Sequence, residues 1–220
     1  MDTEMGTDTM PMRGEASVGE EGRTMEDRIR VEKVEVLWDN HYVLSKATFG
    51  YRRTDGAWET QVRESYDRGN GATILLYDPA RRTVVLTRQF RYPAFANPDG
   101  GSDGWLIEAP AGLLDDAAPA ERIALEAEEE TGFRPREVRE VLSAFMSPGS
   151  VTDRLHFFVA AYTVDDRVGE GGGVVGSGED IEVLEPTIDA ALAMIETGEI
   201  ADAKTILLLQ YAALTLFGGK

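Results

Sequence analysis

Four carboxylates, Glu126, Glu128, Glu129 and Glu130, fall within five positions in the stretch Glu126-Ala127-Glu128-Glu129-Glu130-Thr131-Gly132-Phe133. The surrounding pattern predicts a helix over Pro119–Thr131, with Pro at its first turn and Gly132 as its stop. Acids at the C-terminal end of a helix are unfavourable for two reasons. Like charges at i and i+4, such as Glu126 and Glu130, repel, and anions sit poorly at the negative end of the helix dipole. Helical spacing brings Glu126, Glu129 and Glu130 close on one face and turns Glu128 elsewhere. A divalent cation converts that repulsion into coordination, and hard oxygen ligands on one short stretch suit Mg2+ or Mn2+. Taken alone, such a charge run reads as well as a solvated acidic face. Gly112 ahead of the helix and Gly132 behind it bracket the cluster and favour the chemical reading.

The composition limits what that chemistry serves. The chain has 220 residues, a formal net charge of -18, no cysteine and two histidines, His41 and His156. A general nucleic-acid binder needs positive charge and is not expected. Disulfides and thiolate metal sites are excluded, and a His-rich zinc site is not expected. An acidic protein that handles a phosphorylated ligand needs arginines, backbone amides or metal ions at the site itself. No apolar run approaches the roughly 20 residues of a membrane span, and the first residues lack the basic start and apolar core of a signal peptide. The chain reads as a soluble cytoplasmic protein that does not engage a membrane.

Positioning the cluster is the task of the elements around it. Residues 1–28 show no apolar period and read as a disordered tail. From Ile29 to residue 68 the pattern is of strands, with a turn at Thr54-Asp55-Gly56. This region is too short for a core of its own, which predicts a small antiparallel sheet that pairs with something else, in a homodimer. Trp38 and Trp58 are expected to pack at that interface. Residues 69–220 form the second region. Gly71–Tyr77 and Thr83–Leu86 predict a central hairpin, Pro93–Gly104 a loop, and Trp105–Ile107 a short strand. Val138–Phe145 and Leu155–Tyr162 read as strands, with His156 expected in the core. Asp165–Gly178 reads as a Gly-rich loop, Ile181–Leu184 as a strand, and Thr187–Glu196 and Ala201–Phe217 as helices.

The segment from Gly112 to Phe133 resembles the box of the Nudix family, G-x5-E-x7-R-E-U-x-E-E-x-G-U, where U is apolar. Gly112 matches the first glycine, and Glu126, Ala127, Glu129, Glu130, Gly132 and Phe133 match the second half. Ala118 stands where the box has its first Glu, Leu125 where it has Arg, and the spacing is one residue short. Arg122, one turn earlier, is positioned to take the place of the missing Arg. The resemblance runs from about Ile29 to Phe217. Tyr66–Ala72, Arg88-Gln89-Phe90-Arg91, Leu106–Gly112, Met146–Gly149 and Glu179–Glu182 are similar to the ADP-ribose pyrophosphatase branch. The Gly171-Gly172-Gly173 loop and Thr197–Thr205 are most similar to its GDP-mannose pyrophosphatase subgroup.

What this resemblance implies is an α/β/α sandwich around a mixed sheet, plus the small N-terminal sheet, acting on a nucleoside diphosphate sugar. The leading substrate is GDP-mannose, cleaved to GMP and mannose 1-phosphate, with ADP-ribose as the alternative. The implied metal ligands are the carbonyl of Ala111 and the carboxylates of Glu126, Glu130 and Glu179. Glu129 and Glu179 are the candidates for accepting a proton from water, with Glu130 also in the catalytic set. Gly112, Arg91, Asp153 and Lys204 fall at substrate-binding positions. Arg91 is expected to fork onto phosphate oxygens, whereas the side chain of Arg88 points to the other face of its strand. Glu108, just before the box, reads either as a brace for the metal shell or as a strand acid, and Lys204 read without the resemblance is a surface lysine. His41, Arg63 and Glu64 lie in the region that reaches the partner subunit's site, and His41 stands where the subgroup has Tyr. The competing class is a Nudix-like module that binds a nucleotide sugar without cutting it. Such a module is expected to lose metal ligands, and Glu126, Glu129 and Glu130 are all retained.

Overall fold

The structure, a computed structural model, describes residues 28–99, 101–114, 118–174, 176 and 180–218. The expected tail up to residue 27, and the expected site residue Glu179, lie outside the described residues. The chain divides into two compact units, one of residues up to Glu35 with Lys46–Glu64, the other of Val36–Ser45 with Ser65–Lys220.

Strands β1 (Ile29–Asp39), β2 (Val43–Arg52) and β3 (Trp58–Asp67) form a small antiparallel sheet in that order. Alternation sends every second side chain of a strand to one face. In β1 the apolar side chains are nevertheless open to solvent, with Val31, Val34, Val36 and Trp38 each at 60% exposure or more. Trp58 is half-exposed and carries the guanidinium of Arg30 4.1 Å above its ring.

The larger sheet has seven strands: β4 (Gly71–Asp78), β5 (Thr83–Phe90), β6 (Trp105–Glu108), β7 (Ala111–Leu113), β8 (Arg139–Phe145), β9 (Arg154–Ala161) and β10 (Glu182–Leu184). The order is β10-β5-β4-β9-β8, with β6 paired to β5 and β7 to β4. Only β4 and β9 run parallel among these pairs, so the sheet is mixed. Its central strands are apolar on both sides. Leu75, Val84, Leu86, Phe157 and Val159 pack on helices α3 (Ile188–Thr197) and α4 (Ala203–Thr215). Ile74, Leu76, Val85, Phe158 and Ala160 pack on Ile123 and Ala127 of α2 (Pro119–Thr131). Both faces are thus covered by helices, and the result is the α/β/α sandwich expected from the sequence.

Three local features depart from the sequence reading. The loop expected over Pro93–Gly104 begins with one helical turn, α1 (Tyr92–Phe95), which Pro93 favours because its fixed φ suits a first turn. The loop expected from Asp165 begins inside a 3-10 turn at Val164–Asp166, closed by a reciprocal capping box between Thr163 and Asp166. His156, expected in the core, is only half-buried and places Nδ1 2.8 Å from Glu140 Oε1, because a polar ring next to a half-exposed acid is better satisfied where water also reaches it. No helix among the described residues is long and apolar enough to cross a membrane.

The β4–β5 turn is held by a buried acid. Asp78 accepts from the backbone N–H of Ala80 (2.8 Å) and Arg81 (3.1 Å) and from Arg81 Nε (2.6 Å). The Arg81 side chain, helped by those amides, holds the Asp78 carboxyl below the ordinary Asp range. A depressed folded-state pKa contributes stability that is present above the unfolded value, about 3.9, and is lost as pH falls through the folded value. Asp78→Asn is therefore expected to flatten the loss of stability below about pH 4. Urea midpoints measured as a function of pH test this; parallel profiles for the variant and the wild type count against it.

Candidate active site

The site grows from the segment joining β6 to α2. Pro110 cannot donate a backbone hydrogen bond, and its carbonyl accepts from Ile74 N–H (3.0 Å) and Thr73 Oγ1 (3.0 Å). Just beyond, β7 pairs with β4 in the register Thr73↔Ala111 and Ala72↔Gly112. The expected metal-binding carbonyl of Ala111 and the first box glycine are therefore set on the central sheet. Ala118 caps α2 without a side-chain bond, and Pro119 at the first turn has no N–H to satisfy.

Gly112 is needed for space. A Cβ there would lie 2.2 Å from Glu126 Oε1 and 2.4 Å from its Cδ, so the Glu126 carboxylate lies across the glycine backbone. Arg122 Nη2 reaches the same Oε1 at 2.5 Å, one helical turn back. Leu125, at the position where the box has Arg, points into solvent. Glu130 is buried, while Glu129 is exposed at the flank of the same face. Glu128 turns away and is held by both arms of Arg134 at 2.7 and 2.8 Å. That pairing keeps the Glu128 carboxyl below its ordinary range.

Glu126, Glu130 and the Ala111 carbonyl are hard oxygen donors, and the cradle over Gly112 holds one of them; this donor set fits a divalent cation. Among the described residues no three acids or histidines converge as a complete cage. Gly112→Ala is expected to displace the Glu126 carboxylate and lower kcat/KM about tenfold. Isothermal titration with Mn2+ alongside steady-state rates measures this, and unchanged Mn2+ affinity would refute the cradle.

A second group lies beside the first. Glu108, at the end of β6, is only 3% exposed, and its two oxygens are held by different cations. Arg91 Nε donates to Oε2 at 2.7 Å, and Lys204 Nζ donates to Oε1. Lys204 also contacts Asp202 Oδ2 at 3.0 Å, and Asp202 caps α4 through Thr205 N–H (3.0 Å). Thr205 Oγ1 in turn accepts from Ala109 N–H at 2.7 Å. Lys204 is thus not a surface lysine; its side chain is 13% exposed. At 3% exposure Glu108 is not the partly exposed strand acid of one of the two readings. Asp202 and Thr205 were legible only within the Thr197–Thr205 resemblance, and nothing in their residue types points to this network.

Asp153 is buried and accepts from Arg68 Nη2 at 2.6 Å and Nε at 3.1 Å. Asn70 ties this corner to the box, since its carbonyl accepts from Leu114 N–H and its Oδ1 from Arg154 N–H. Neither Arg68 nor Asn70 was singled out beforehand, and their only signal was the Tyr66–Ala72 motif. His41 is exposed, with its ring 4.3 Å from that of Tyr42. Arg63 and Glu64 are exposed on β3, where Arg63 bonds Gln61 Oε1 at 3.0 Å. Arg88 lies over Trp105 and pairs with Glu182, lining a cleft of ≈ 960 Å³ that holds none of the expected site residues.

A strand–loop–helix that sets a glycine-cradled glutamate on a mixed, helix-covered sheet is the arrangement of a Nudix domain. Residues 67–209 match the NUDIX domain, and the chain belongs to the Nudix family of hydrolases, which generally use divalent metal ions. Residues 28–66 match the family described as GDP-mannose pyrophosphatase NudK N-terminal domain. The chain is 50% identical over 190 residues to the GDP-mannose pyrophosphatase of Pectobacterium atrosepticum, covering 86% of this chain and 96% of that one. It is 50% identical over 187 residues to the GDP-mannose pyrophosphatase of Escherichia coli K12, covering 85% and 96%.

Proposed function

We propose that the chain hydrolyses GDP-mannose with Mg2+ or Mn2+, giving GMP and mannose 1-phosphate. The observation that carries this reading is the 50% identity to GDP-mannose pyrophosphatases, which extends over both the N-terminal and the Nudix regions. When bound, the metal polarises phosphoryl oxygens and lowers the pKa of water. The Ala111 carbonyl, Glu126, Glu130 and Glu179 would hold it. Arg91, fastened through Nε to Glu108, presents the rest of its guanidinium to the pyrophosphate, and Lys204 lies on the other oxygen of the same carboxylate. Glu129 and Glu179 are the candidates to take the proton as water attacks phosphorus and the bridging P–O bond breaks. Asp153 contacts the substrate from its corner.

The same reading makes the protein a cytoplasmic homodimer in which residues 29–68 are a dimerisation sheet and His41, Arg63 and Glu64 serve the partner's site. The exposed valines of β1 support it, since monomers seldom leave such a row open. Light scattering is expected to give a dimer mass at micromolar concentration, and a monomer would count against it.

Competition assays comparing kcat/KM for GDP-mannose and ADP-ribose test the substrate, because specificity is the ratio of those values. GDP-mannose is expected to be preferred. A clear preference for ADP-ribose overturns the substrate and keeps the mechanism, whereas tight binding without hydrolysis favours the non-catalytic module.

A further inference from the structure

Helix α2 ends in a run of acids, has no basic residue in its last turn, and stops at Gly132 in the left-handed conformation (φ 75°). The last carbonyls of a helix need donors, and here the dipole and the carboxylates add negative charge of the same sign. The donors come from a distant segment. Gly172 N–H bonds Glu130 O at 2.9 Å and Gly173 N–H bonds Glu129 O at 3.1 Å. Val168 N–H and Gly169 N–H both reach Gly132 O, at 2.8 and 3.2 Å.

This contact is backbone against backbone, and glycine is required on both sides of it. A Cβ on Gly132 would lie 2.2 Å from Gly169 O, and a Cβ on Gly171 would lie 2.5 Å from Glu130 O and 2.6 Å from Thr131 C. Neither neighbour is a flexible side chain, so neither can rotate away. Gly171 also has φ 74°, a conformation that L side chains rarely adopt.

We propose that Val168–Gly173 is a positioning element for the metal-binding turn: its amides hold the carbonyls of Glu129, Glu130 and Gly132, and so fix the backbone from which the Glu130 carboxylate extends. The inference rests on the proposed role of Glu130 as a metal ligand. The segment acts through α2, whose last carbonyls its amides hold. Gly171 is thus explained by the close approach it permits, and Gly172 and Gly173 by their positive φ of 103° and 85°.

The test compares Gly171→Ala with Gly198→Ala. Gly198 also has positive φ (80°), but a Cβ there meets nothing within 4 Å, so it reports backbone strain alone. Mn2+ binding is followed by electron paramagnetic resonance, together with kcat on GDP-mannose. Gly171→Ala is expected to raise the Mn2+ Kd by about tenfold, the size of effect that support around metal ligands carries, and to lower kcat in parallel. Gly198→Ala is expected to leave both essentially unchanged. Wild-type Mn2+ affinity in Gly171→Ala overturns the positioning role alone. Failure of the wild-type protein to bind Mn2+ overturns the metal reading and this inference with it. If Gly171→Ala does not fold, hydrogen exchange on the wild-type protein decides: the Gly172 and Gly173 amides are expected to be as protected as those of α2, and fast exchange at both overturns the proposal.

Discussion

Glu130→Gln is expected to lower kcat by about a hundredfold or more, because stabilisation of phosphoryl charge through a bound metal supplies several kcal/mol. The change keeps size and shape and removes a charge from a buried position at the end of α2. Helix and fold should persist, since the turn is held by backbone bonds from Gly172 and Gly173 rather than by the side chain alone. Glu128→Gln is the matched comparison. Its carboxylate is spent on Arg134 at the surface, so its loss should leave the rate nearly unchanged. Steady-state rates at saturating Mg2+, with circular dichroism to monitor folding, give the result. Equal losses in the two variants would defeat the assignment of faces to α2.

Glu108→Ala is expected to lower stability by about 3 kcal/mol, the range for removing one partner of a buried ion pair. The effect comes mainly from the Lys204 side, where the ammonium stays largely buried with Asp202 as its remaining acid. Arg91 is 40% exposed, so water compensates much of its loss and it adds little. It nonetheless loses its anchor, and KM for the nucleotide sugar should rise. Removing the lysine as well, in Glu108→Ala/Lys204→Met, should restore part of the stability, because the uncompensated charge goes with it. Urea midpoints at unchanged m-value measure both steps. A single-variant loss below about 1 kcal/mol would place the clamp among ordinary surface pairs.

The helix that bears the acids was legible because its two ends are written locally. Pro119 suits a first turn, Gly132 suits a left-handed stop, and the observed helix runs between them. The turning away of Glu128 followed from helical periodicity. The β4–β5 hairpin and the sandwich were legible because continuous apolar strands require cover on both faces. Beyond that point local rules run out. His156 looks like a core residue beside Phe157 and Phe158, and only the fold brings it to the half-exposed Glu140 of β8.

The sequence by itself determined the class of chemistry: which residues carry carboxylates, on which helix, and that the chain must borrow positive charge from arginines, backbone amides or metal ions. Those follow from residue type, spacing and net charge, which need no long-range contacts. The tertiary structure alone decided who neutralises whom. Arg91, Glu108 and Lys204 converge from three elements. Arg68 reaches Asp153, and Gly132 meets Gly169, 37 positions further along, only in the folded chain. Contacts of that kind depend on chain crossings, and their physical basis is that a buried charge or a helix-end carbonyl must find a partner wherever the fold supplies one.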